Sequence, residues 1–103
     1  MALSADDARR LALGLPDAVE QDHRGRRSFR VSRRIFATLW DSEHMNVMVD
    51  EPGIVTATQE HPETCTEVWW GKRLAAVRVA LPLADEALVH ELLEDAWESK
   101  RRP

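Results

Sequence analysis

Residues 19–40 read VEQDHRGRRSFRVSRRIFATLW, and the fold turns on how this stretch divides. Arg24-Gly25 and Ser32-Arg33-Arg34 are short connections, so the stretch falls into three strands. The first, Val19–His23, alternates Val19, Gln21 and His23 with Glu20 and Asp22. The second, Arg27–Val31, sets Phe29 and Val31 on one face and Ser28 and Arg30 on the other. Period-two alternation of this kind marks a strand with one buried side. The third, Ile35–Trp40, is apolar on both faces, with Ile35, Ala37 and Leu39 on one and Phe36 and Trp40 on the other. That predicts a central strand with both faces at least partly covered. Strands joined this tightly pair antiparallel, because a parallel return needs a crossover of about a dozen residues or more.

Downstream, Asp41–His44 reads as a loop and Met45–Val49 as a fourth strand. Asp50-Glu51-Pro52-Gly53 breaks the pattern. A short helix is predicted over Ile54–Gln59, with Pro52 near its first turn and His61-Pro62 ending it. Thr64–Trp70 and Leu74–Leu81 are two more strands about a Gly71-Lys72 turn, and Pro82 ends the second. Adjacent Trp69 and Trp70 are expected on opposite faces, one of them in the core. Asp85 is placed to cap a terminal helix whose stripe is Leu88, Val89, Leu92, Leu93, Ala96 and Trp97. Upstream, Ser4 caps a first helix with Asp6 and Asp7 in its first turn. Ala8, Leu11, Ala12 and Leu15 form its stripe, and Gly14 and Pro16 stop it. The predicted architecture is α+β in two layers: an antiparallel sheet of five to six strands with helices packed on it, in the order α-β3/4-α-β2-α.

A chain of 103 residues is read as one domain, 1–103. Its 44% hydrophobic and 31% charged content excludes a disordered chain. No apolar run approaches the ~18 residues of a membrane helix. The single cysteine, Cys65, excludes an internal disulfide framework and suits a reducing compartment. The polar, acidic N-terminus has no basic-then-apolar export pattern. The expected location is cytoplasmic.

Charge is unevenly spread about a net of −4. Residues 1–34 carry eight basic and five acidic side chains, residues 35–71 carry seven acids and no Lys or Arg, and residues 72–103 carry six of each. Arg24, Arg26, Arg27, Arg30, Arg33 and Arg34 fall within eleven residues. On a hairpin, alternate arginines share a face and the turn arginines fringe it. The planar guanidinium fork suits phosphate and carboxylate, which makes these six the candidate nucleic-acid-binding residues. The competing reading is a solvated strand face whose arginines pair with Asp17, Glu20, Asp22 and the acidic middle of the chain.

Catalytic chemistry finds little support. His61 and Cys65 have the spacing of a Cys–His pair on a helix, but Pro62 lies between them and an extended run follows. No zinc-ligand spacing accompanies them. His23 and His44 each neighbour a carboxylate in sequence. The four glycines are isolated, so there is no phosphate loop. No catalytic residue, metal or cofactor is expected, and the chain is read as a non-enzyme. Trp97 is assigned to the core.

Three blocks in order carry a resemblance. Leu15-Pro16-Asp17-Ala18-Val19-Glu20, then Gly25-Arg26-Arg27-Ser28-Phe29-Arg30-Val31, then Arg34-Ile35-Phe36-Ala37 are similar to the signature of the MmcQ/YjbR-like proteins. The likeness runs on through Asp50-Glu51-Pro52 and the terminal helix. One departure is that Trp69-Trp70 precede Gly71, where the family tends to open this strand with Gly-Trp. The resemblance implies a small bacterial, cytoplasmic α+β domain with a secretion-chaperone-like fold and DNA binding through a double-wing motif, one wing being the Arg24–Arg34 hairpin. It brings no catalytic residues. Two functions compete. One is a DNA- or polyanion-binding module. The other is a protein-interaction or chaperone-like module using the sheet face and an exposed tryptophan. The uneven charge would also suit head-to-tail self-association.

Overall fold

The computed structural model describes residues 2–101. Helix α1 (Ala5–Leu13) leads into strands β1 (Val19–His23), β2 (Arg26–Val31), β3 (Arg34–Leu39) and β4 (His44–Val47). Helix α2 (Glu51–Glu60), strands β5 (Cys65–Trp70) and β6 (Arg73–Ala80), a 3₁₀ turn (Leu81–Leu83) and helix α3 (Glu86–Arg101) follow. The six strands form one antiparallel sheet in the order β1-β2-β3-β4-β6-β5. The α+β architecture is therefore as expected, with α2 inserting β5 and β6 as a hairpin beside β4.

Local chemistry sets the helix starts. Ser4 Oγ accepts from the Asp7 N–H at 3.1 Å, and the Asp7 carboxylate accepts from the Ser4 N–H at 2.9 Å, a reciprocal capping box. Asp50 accepts from the Gly53 N–H at 2.9 Å, so α2 begins before Ile54, with Pro52 in its first turn. Asp85 caps α3 through the Leu88 N–H at 2.8 Å. The three helices lie on one face of the sheet. Ala8 and Ala12 of α1, Ile54 and Ala57 of α2, and Val89, Leu92, Leu93 and Ala96 of α3 share one core with Phe29, Val31, Met45, Val47, Val77 and Val79. Trp97 sits at the edge of this core and is half-buried, its indole N–H donating to the Pro16 carbonyl at 2.8 Å.

Two irregularities depart from the alternation read in the sequence. Phe29 pairs with Ala37 but Arg30 pairs with Ile35, so Phe36 is an extra residue on β3. The bulge lets Phe36 join Ala37 and Leu39 in the helix-side core, while Ile35 packs on the opposite face. The second lies at Val68/Trp69, where Val68 pairs with Ala76 and Trp69 with Leu74, leaving Ala75 extra on β6. Neither Trp69 nor Trp70 enters the core; they are 54% and 51% exposed. Trp69 pairs with Leu74 and Trp70 with Arg73, so they do alternate; the expectation that one is core fails because β5 is an edge strand, and of its residues only Cys65 belongs to the helix-side core.

Candidate functional site

Among the described residues no helix covers the second face of the sheet. Its organisation follows from the registers. Gln21 pairs with Ser28, Ser28 with Thr38, Thr38 with Asn46, Asn46 with Arg78 and Arg78 with Thr66, a polar row running across all six strands. Beside it Ile35, Met48, Val68 and Ala76 form a small apolar cluster separate from the main core. A cavity of about 750 Å³ opens over these rows.

Among the described residues, seven lysines and arginines border this cavity: Arg24, Arg26, Arg30, Arg33, Arg73, Arg78 and Lys100. His23, Trp40, Trp69 and Trp70 border it too, and no Asp or Glu does. None of the seven forms a salt bridge with a described carboxylate. Three are held by neutral acceptors instead. Arg26 Nε donates to the Trp40 carbonyl at 2.9 Å, Arg30 Nε to Ser28 Oγ at 3.3 Å and Arg78 Nε to Asn46 Oδ1 at 2.9 Å. Ser28 Oγ in turn donates to the Gln21 carbonyl at 2.9 Å. Arg26 and Arg78 also lie over the Trp40 ring, at 3.9 and 4.5 Å from its centroid. The guanidiniums are thus oriented through Nε without being neutralised. Their terminal nitrogens keep the fork that recognises planar anions.

The six arginines of the sequence cluster separate. Arg26 and Arg30 lie on the open face, and Arg24 and Arg33 stand at its rim in the two hairpin turns. Arg27 points the other way. It faces Asp22 across the ladder and pairs with Glu20 at 3.5 Å, a carboxylate that also holds Arg9 at 2.6 Å. Arg34 lies outside the cavity lining. Arg73, Arg78 and Lys100 are site residues that the cluster did not include. Their signal was present, since Arg78 interrupts the apolar run from Leu74 to Ala80 and must share a face with Ala76. What was missing was the sheet order that sets β6 beside β4.

The acids gather on the helix layer. Two smaller grooves there, of about 250 and 290 Å³, are bordered by Asp50, Asp95 and Glu98 and by Glu60, Glu91 and Asp95. His61 and Cys65 form no reactive pair. Their link is a backbone bond from the Cys65 N–H to the His61 carbonyl at 2.8 Å, and burial pushes the thiol pKa up, against thiolate formation. His44 Nδ1 meets Asp41 at 2.9 Å; the Glu43 N–H first, then His44, hold the Asp41 carboxyl below its ordinary range. Among the described residues no group of three or more His, Cys, Asp or Glu could hold a metal ion, and no helix is long and apolar enough to cross a membrane.

Fold and site together define a two-layer α+β domain with one basic, aromatic, uncovered sheet face. The YjbR family model matches residues 13–99, and the chain belongs to that family. No curated protein and no solved structure gives a significant match.

Proposed function

We propose that the open sheet face is a binding site for the sugar–phosphate backbone of nucleic acid, DNA being the form the family resemblance suggests, and that the protein is a binding module rather than an enzyme. The observation that carries this reading is the segregation of charge. Among the described residues, a chain of net charge −4 directs seven cations and no Asp or Glu into one cavity. Self-neutralised surface arginines would be interleaved with acids, as Arg27 is with Glu20. Preorientation of Arg26, Arg30 and Arg78 lowers the ordering cost of gripping an anion. The cytoplasm suits such a module and the buried free thiol of Cys65.

A salt titration tests it. If all seven cations engage phosphates, the log–log slope of affinity against salt is no steeper than about −5 on single strands or about −6 on a duplex, from roughly −0.7 and −0.9 per contact. Binding is nearly independent of sequence where phosphate contacts dominate. Salt-insensitive binding, or none at about 50 mM salt, contradicts the reading. Exposed Trp69 and Trp70 favour a protein partner as the second reading; a salt-insensitive protein complex that needs both indoles would support it.

A further inference from the structure

The cavity is more than a basic patch. Its lining includes Ile35, Met48 and Val68 of the apolar cluster, and Trp70 stands beside them, 51% exposed. A duplex buries its base faces in its own stack and presents phosphates, sugars and groove edges outward. Apart from thymine methyl groups in the major groove, it offers no open base face to an apolar floor or an exposed indole. A single strand presents a charged backbone and unstacked base faces together. Those are the two chemistries this face sets side by side. Resting on the polyanion reading above, we propose that the occupant is single-stranded nucleic acid, with its phosphates on Arg26, Arg30 and Arg78 and a base stacked on Trp70.

The two indoles divide the work. Trp40 has Arg26 at 3.9 Å and Arg78 at 4.5 Å from its ring centroid, so it serves to hold the guanidiniums. Trp70 has Arg73 at the looser distance of 5.2 Å, which leaves more of its ring for a base. Arg73 then supports the stack through its own charge.

The test is fluorescence anisotropy with labelled oligothymidylate, oligouridylate and a duplex of equal length, at about 50 mM salt. At least one single strand binds about tenfold or more tightly than the duplex, and the tighter of the two identifies the sugar. Trp70→Ala, at an exposed position where the fold tolerates truncation, weakens the single strand about tenfold and leaves the duplex unchanged. Trp70→Phe restores most of the loss. Equal affinity for single strand and duplex, or a single-strand preference that survives Trp70→Ala, overturns this inference while leaving the polyanion reading in place. Failure of every probe, inorganic polyphosphate included, overturns the polyanion reading itself.

Discussion

Ser32 and Arg33 turn β2 into β3 with φ of 51° and 67°, and neither is glycine. A two-residue hairpin turn with both φ positive ordinarily favours Asn-Gly or Asp-Gly. The first hairpin half-meets that preference, with Arg24 at 53° followed by Gly25 at 83°. A left-handed non-glycine residue costs roughly 1–2 kcal/mol. The strain sits where it places Arg24 and Arg33 at the rim of the cavity. Arg33→Gly is therefore expected to stabilise the protein by about 1 kcal/mol in chemical denaturation, while weakening polyanion binding. A variant that is no more stable and binds as before would show that neither the strain nor the charge matters. Cys65 is the opposite kind of residue, buried and with its thiol pKa raised by burial. It should resist a thiol reagent in the native state and react once the chain is unfolded in denaturant. Fast native labelling would contradict this.

Helix α1 depends on its capping box. Ser4→Ala is expected to cost about 1 kcal/mol, read as a lower denaturation midpoint. The Ser4 backbone N–H first, then its hydroxyl and Arg10, hold the Asp7 carboxyl below its ordinary range. A depressed carboxylate contributes stability that is fully present above its unfolded pKa of about 4 and is lost as pH falls through the lower folded value. Stability should thus decline on acidification below about pH 4, and Asp7→Asn should flatten that decline. In α3, Leu92 is buried in the main core, and Leu92→Ala should cost about 2–5 kcal/mol. These elements were legible in the sequence because caps, turns and stripes are set by near neighbours: Ser4 with Asp7, Asp85 with Leu88, Arg24 with Gly25. The bulges were not. Phe36 shifts to the core because β2 pairs across it, and the exposure of both Trp69 and Trp70 depends on β5 being an edge. For the same reason the cluster revealed four cavity arginines and missed Arg73, Arg78 and Lys100, which reach the face only through the β4–β6 pairing and the far end of α3.

At the scale of the whole molecule the charge is polar in the geometric sense, with an acidic helix layer behind a basic sheet face. Net charge alone would argue against a polyanion partner. The arrangement argues for one, because local fields and not totals govern contact at a distance of one Debye length, about 8–10 Å at physiological salt. The most direct test compares two triple variants of equal net charge. Arg26, Arg30 and Arg78 become Gln in one, removing cations that border the cavity. Arg9, Arg10 and Arg27 become Gln in the other, removing cations that pair with Glu20 and Asp7 elsewhere. Exposed pairs of that second kind contribute about 0–1 kcal/mol, so both variants should fold, as circular dichroism checks. Affinity for oligothymidylate is then measured across a salt series. The account predicts that the cavity variant loses most of its binding and that its salt slope falls by about 2, at roughly 0.7 per phosphate contact, while the second variant binds close to wild type. Equal losses in the two variants would show that binding follows net charge and not this face, and would contradict the account.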